Sequence, residues 1–165
     1  MTAFSRFVTA LAWIAAALFV AAGVMLTYEV LARYFFVRPT IWAAELSQAC
    51  LIWGSLIAAP WALRERRHIR ITAVTGLLPR RGQLAADLFA MLAVAVFSGA
   101  VLAYGWWIFF DSFERGRTTG SMLDLPVWIV ELAMPFGMAV LLAQALIEAA
   151  RAARGEIVAE GEHGE

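Results

Sequence analysis

Four long apolar runs constrain this chain more than anything else in it: Phe7 to Tyr28, Ile41 to Leu63, Leu88 to Phe110 and Leu125 to Ile147. They measure 22, 23, 23 and 23 residues, and a helix needs roughly 20 apolar residues to cross about 30 Å of hydrocarbon. What remains is two tails of 6 and 18 residues and connections of 12, 24 and 14, too short to build a second, water-soluble domain. With 62% apolar and 16% charged residues the chain also departs from a soluble domain, which runs about 45–50% apolar and about 25% charged. The expected fold is therefore an all-α integral membrane protein, a single domain over 1–165 with four spans and a polar tail over 148–165. The first run follows Arg6 but is longer than the apolar core of a secretory signal, about 7–15 residues, so it reads as an uncleaved span.

Arginine sets the orientation. All thirteen basic residues are arginine and the formal net charge is zero, which gives no reason to expect a nucleic-acid partner. With the amino terminus inside, Arg6, Arg64, Arg66, Arg67, Arg70, Arg80, Arg81, Arg151 and Arg154 fall on the cytoplasmic side, 9 against the 4 outside, Arg33, Arg38, Arg115 and Arg117. Cytoplasmic loops carry such an excess, so both termini are expected in the cytoplasm. Tyr28, Tyr34, Trp42, Trp106, Trp107 and Trp128 cluster at the outer span ends, where amphipathic rings sit at headgroup level. In the central loop the run RERRHIR places Arg64, Arg66, Arg67, His68 and Arg70 together as a basic surface for anionic lipid. Ile71, Val74, Leu77 and Leu78 then recur at helical spacing up to Pro79, a pattern that predicts a short amphipathic interfacial segment between spans two and three.

Polar groups inside the spans are few. Glu45 and Glu131 are the ionisable side chains there, with Gln48 beside the first, and an acidic residue at mid-membrane costs about 3 kcal/mol. Glu45 lies only four residues past Ile41, about 6 Å deep at 1.5 Å per residue, and Glu131 is similarly shallow. Glu29 precedes Arg33 by four, the better order for a helical ion pair, provided the first helix runs beyond Tyr28. Arg33 and Arg38 are then expected close enough to the second span to pair with Glu45. Glu29, Arg33, Arg38, Trp42, Glu45, Gln48 and Glu131 are accordingly the candidate structural or subunit-interface residues.

Other signals concern helix geometry. Pro60 and Pro135 each remove an amide and free the carbonyl four residues back, on Leu56 and Glu131, which normally kinks a helix. Ser121 and Asp124 have capping-box spacing before Pro126. Ala95, Gly99 and Ala103 predict a face of close helix approach. No catalytic, substrate-binding or metal-ligand constellation emerges and no cofactor is expected: Cys50 is the single cysteine, and His68 and His163 both lie outside the spans.

Residues 29–71 carry Arg33-Tyr34-Phe35-Phe36, Trp42 with Glu45, Trp53, and Ala62-Leu63-Arg64 leading to His68-Ile69-Arg70. In these motifs the segment resembles the small membrane subunit of tripartite ATP-independent periplasmic (TRAP) transporters, the DctQ type. Leu125-Pro126-Val127-Trp128 and Pro135-Phe136-Gly137 look like the opening and middle of the family's last helix. Departures are Ala44 where an acid often stands, Ala58 and Glu65-Arg66-Arg67 where glycines are common, and Thr72 in place of an acid after His-Ile. The resemblance implies a scaffold in the bacterial inner membrane beside a large permease subunit, within a sodium-coupled system that receives an organic acid from a periplasmic binding protein. Two other classes use four helices. A small proton-coupled multidrug exporter would carry little arginine bias, and a four-helix membrane enzyme would need deep polar groups that this chain lacks.

Overall fold

The computed structural model describes residues 3–38, 40–65, 79–121 and 123–153, all of them helix or short connection. The helices are α1 (Ala3–Phe35), α2 (Ile41–Glu65), α3 (Arg80–Glu114), α4 (Val127–Glu131) and α5 (Ala133–Ala153). Four stretches, Ala3–Phe35, Trp42–Glu65, Gly82–Glu114 and Val127–Ala153, are long and apolar enough to cross a membrane, so the all-α four-span expectation holds. The interfacial segment anticipated after Arg64, with Arg66, Arg67, His68 and Arg70, lies outside the described residues.

Helix ends differ from the apolar runs for a physical reason. Hydropathy marks where a helix leaves hydrocarbon, whereas the helix itself stops only where its backbone bonding stops. α1 has 33 residues and α3 has 35, about 50 Å at 1.5 Å per residue, well beyond the hydrocarbon thickness. α1 ends where the Phe36 and Arg38 amides both donate to the Ala32 carbonyl and Val37 takes a left-handed φ of 51°. A β-branched residue is rarely found there.

The helices form a row. α1 packs on α2, α2 on α5, and α5 on α3. The two hairpins, α1–α2 and α3–α4/α5, thus meet through α2 and α5, which run parallel to each other. Exchanging the hairpins leaves this order of neighbours unchanged. At the end of the molecule that carries the amino terminus, Val8, Leu11 and Ala15 of α1 pack with Ile57 of α2 and Val140 of α5. A second cluster joins Leu63 of α2, Ala95 of α3 and Ala145 of α5. The edge helices remain largely uncovered, with Trp13, Val20 and Val24 of α1 and Phe89, Val96, Phe97 and Trp107 of α3 exposed.

The closest crossing joins the two central helices. Pro60 stays inside a continuous α2 and is fully buried, as is Pro135. A Cβ built on Gly137 would fall 2.8 Å from the Leu56 Cβ and 2.9 Å from the Leu56 oxygen. That oxygen belongs to the carbonyl that Pro60 deprives of its amide donor. The missing hydrogen bond in α2 and the missing side chain in α5 therefore coincide. At Pro135 the fourth span does break, but at Leu132, between α4 and α5.

Two expectations about packing and capping are corrected. On α3 the face of close approach is Ala95, Ser98, Gly105 and Ser112, all buried, whereas Gly99 faces open space and Ala103 is exposed. A Cβ on Gly105 would lie 3.0 Å from the Met134 sulfur. Spacing by four picked the wrong stripe, because α3 meets α5 along positions spaced by three and seven. Nor do Ser121 and Asp124 cap α4: Pro126 holds that position without a side-chain cap. The Val127 amide instead donates to the Arg117 carbonyl at 3.0 Å, and Thr119 donates to Leu125 at 2.9 Å. The 115–126 connection folds on itself through an isolated bridge between Thr118 and Pro126, with Gly116, Gly120 and Asp124 at positive φ.

Candidate functional site

Because α1 continues past Tyr28, Glu29 and Arg33 share a face, and Arg33 Nη2 bonds Glu29 Oε1 at 2.5 Å. The carboxylate does more than pair. It is buried at 5% exposure, and its second oxygen accepts from the Thr40 amide at 3.1 Å and from the Thr40 hydroxyl. Thr40 immediately precedes α2, so Glu29 satisfies an otherwise orphaned amide at a helix amino terminus and places negative charge where the helix dipole favours it. Tyr28 and Trp42 reinforce the same turn with ring centroids 5.9 Å apart. Glu29 therefore locks α1 to α2 through Thr40, a partner that sequence spacing did not reveal.

The expected link from Arg33 or Arg38 to Glu45 is absent among the described residues. Arg33 is held by Glu29, Arg38 is exposed, and Glu45 Oε2 is buried without a hydrogen-bond partner. Glu131 Oε2 is in the same condition. Gln48, one turn deeper than Glu45, is exposed on α2. Among the described residues neither acid is thus paired with Arg33 or Arg38.

Arg64, expected in a lipid-facing basic loop, instead turns its guanidinium inward onto α1. It donates to the Ser5 carbonyl at 3.0 Å, to Ser5 Oγ at 3.1 Å and to Thr9 Oγ1 at 3.1 and 3.2 Å, with Glu65 Oε1 3.2 Å away. A side chain with five donors satisfies the polar groups of two helices at once, which binds the end of α2 to the beginning of α1.

Three further polar links escaped the sequence reading. Trp53 of α2 donates from Nε1 to the Ile129 carbonyl of α4 at 3.0 Å and packs its ring against Phe136 in a tilted contact, centroids 6.0 Å apart, bridging the break in the fourth span. Asp111 takes Arg115 at 2.7 Å and Arg117 at 3.1 Å, repeating in the second hairpin the acid-then-arginine device of the first. Gln144 donates to the buried Glu148 at 2.9 Å, and Arg151 lies 3.5 Å from the same oxygen. The i, i+4 spacing of Asp111 with Arg115 could have flagged the second link. Nothing local could have flagged Trp53, whose acceptor is 76 residues away. Among the described residues no three His, Cys, Asp or Glu side chains gather as a metal site.

A row of four helices stitched by polar contacts at its two ends can hold a shape in the membrane and offer surfaces to another chain. Residues 22–155 match the family model described as tripartite ATP-independent periplasmic transporters, DctQ component. The chain is 27% identical over 109 residues to the sialic acid TRAP transporter small permease protein SiaQ of Vibrio cholerae serotype O1, covering 62% of this chain and 63% of that one. It is 27% identical over 97 residues to the C4-dicarboxylate TRAP transporter small permease protein DctQ of Rhodobacter capsulatus, covering 59% and 42%. It is 30% identical over 134 residues to the isethionate TRAP transporter permease protein DctMQ of Oleidesulfovibrio alaskensis, covering 74% of this chain and 20% of that protein. The matched segment thus spans less than two thirds of each of these relatives.

Proposed function

The chain belongs to the DctQ component family of tripartite ATP-independent periplasmic transporters, and on that premise we propose that it is the static membrane scaffold of a large permease subunit. The system takes up an organic acid with sodium and receives it from a periplasmic binding protein. The observation that carries this reading is the row α1–α2–α5–α3: helices laid side by side build a wall, and a wall supports a moving neighbour without enclosing a route for solute. Family membership supports such a system, and the relatives named for sialic acid, C4-dicarboxylate and isethionate support an organic acid as the substrate class, since all three are anions at neutral pH. A large partner is supported by DctMQ, a single permease polypeptide in which a segment like this chain occupies a fifth of the length. The excess of arginine on the side of the termini supports cytoplasmic ends in an inner membrane.

Under this reading, deleting the chain abolishes uptake and leaves substrate affinity of the isolated binding protein unchanged. Restoring it on a plasmid recovers transport. Full-rate uptake by the large permease reconstituted alone refutes the scaffold role.

A further inference from the structure

We propose that the end of α1 that carries the α1–α2 turn binds one anionic phospholipid, with an acyl chain lying along Val20, Gly23, Val24, Thr27, Tyr28 and Leu31 and the phosphate held by Arg38. This goes beyond the functional reading above and holds whichever side of the membrane that leaflet faces.

The acyl chain has a groove of about 470 Å³ on the exposed side of α1, lined by those six residues. Its floor is Gly23, where an added Cβ would meet nothing within 4 Å. The Thr27 hydroxyl donates to the Gly23 carbonyl at 2.8 Å, so it is satisfied within the helix and leaves an apolar wall suited to hydrocarbon. From Val20 to Leu31 the groove runs about 16 Å, roughly half of a 30 Å hydrocarbon core and therefore the depth of one leaflet.

The headgroup site follows from how α1 stops. The Phe36 and Arg38 amides both donate to the Ala32 carbonyl, at 3.2 and 3.1 Å, which turns the chain back and holds the Arg38 backbone at the residue after Leu31. That turn requires Val37 at a left-handed φ of 51°, strain of the kind retained where a loop has a task. Arg38 is exposed and makes no ion pair with Glu29 or Glu45 among the described residues, Glu29 being taken by Arg33 and Thr40. The 115–126 connection at the same end of the molecule closes on itself instead. There Asp111 takes both Arg115 and Arg117, and Phe109, Phe113 and Trp128 pack on one another.

The direction of the rings selects lipid over a partner helix. Tyr34, Phe35 and Phe36 are consecutive, each turned by about 100° from the last, yet they are 77%, 77% and 74% exposed. A partner helix covers one side, whereas a headgroup layer surrounds a helix end on every side and is where aromatic rings collect. Phe35 lies about 10 Å beyond Tyr28 along the axis, and helical side chains lean back towards the amino terminus. The Tyr34 and Phe35 rings thus fall in a headgroup layer roughly 5–8 Å deep. An unpaired guanidinium beside them favours a phosphate whose charge is not cancelled by an ammonium.

The test follows lipid retention by the purified full chain in detergent, by native mass spectrometry, with phosphatidylglycerol or phosphatidylcholine of matched chains. One phosphatidylglycerol is expected to be retained, phosphatidylcholine to be held several-fold more weakly, and glycerol 3-phosphate, a headgroup without chains, to fail to compete. Arg38→Ala and Gly23→Trp, both at exposed positions, are each expected to weaken retention about tenfold. Val24→Trp repeats the groove test at a second exposed site. Arg115→Ala and Gly99→Trp, in the other hairpin, are expected to leave retention unchanged. Equal retention of the two lipids, or equal losses in Arg38→Ala and Arg115→Ala, overturns the headgroup contact. Full retention in Gly23→Trp and Val24→Trp overturns the groove, and competition by glycerol 3-phosphate assigns a free anion in place of a lipid. A species of twice the 18.1 kDa chain that Gly23→Trp dissociates overturns the choice of occupant. So does loss of a co-expressed large permease from that variant with lipid retention unchanged.

Discussion

Replacing Gly137 by alanine tests the packing at its tightest point. The added methyl would sit 2.8 Å from the Leu56 Cβ, 2.9 Å from its oxygen and 3.0 Å from its carbonyl carbon. Two of those three atoms are backbone, so rotating a side chain gives no relief and α2 and α5 must separate by several tenths of an ångström. Overpacking of this kind costs about 1–3 kcal/mol, and the helical preference of alanine over glycine returns roughly 0.5–1 kcal/mol. A net loss of up to about 2.5 kcal/mol remains, centred near roughly 1 kcal/mol, which corresponds to a Tm lower by about 2–4 °C at the centre for a chain of this size. Gly99→Ala is the matched control, because a Cβ there meets nothing within 4 Å, and it should leave Tm unchanged or slightly raised. The measurement is thermal unfolding of the purified protein in one detergent, followed by tryptophan fluorescence or size-exclusion survival. If Gly137→Ala is as stable as Gly99→Ala, the helices do not cross at Leu56 and the account of Pro60 fails with it.

Glu29→Ala should destabilise by about 1–2 kcal/mol because it strips the Thr40 amide of its acceptor. Arg33→Ala should cost less than 1 kcal/mol, since that side chain is 58% exposed; equal losses in thermal unfolding would show that the ion pair, not the cap, matters. Trp53→Phe keeps a ring against Phe136 but removes the bond to Ile129. The expected cost is about 0.6 kcal/mol, the average for an interhelical bond in a membrane, and a loss above 2 kcal/mol would give the indole another role. Val37→Gly relieves a left-handed valine and should stabilise by about 1 kcal/mol; a destabilised variant would mean that Val37 is held by contacts outside this chain. In a Cys50→Ala background, an impermeant thiol reagent applied from the periplasm should label single cysteines placed in 111–124 and spare those in 64–87. The opposite pattern would invert the assigned orientation.

The number of spans and the pairing of Glu29 with Arg33 were legible in the sequence, because each depends on residues within one helix or on hydropathy summed over about 20 neighbours. The family was legible as well, from motifs that keep their order along the chain. The order of the helices in the membrane was not. Four apolar helices are equivalent in hydropathy, and only packing makes α2 and α5 the centre of the row and α1 and α3 its edges. For the same reason Arg64 read as part of a basic loop until Ser5 and Thr9 were brought beside it, and Glu45 read as paired until Arg33 was found committed to Glu29. Pro60 and Pro135 were visible as helix breakers, yet neither hinted that the carbonyl freed on Leu56 would meet Gly137. A proline determines by itself which hydrogen bond is lost, a local covalent fact; what approaches the vacated carbonyl depends on a helix some 80 residues further along, and only the tertiary structure brings it there.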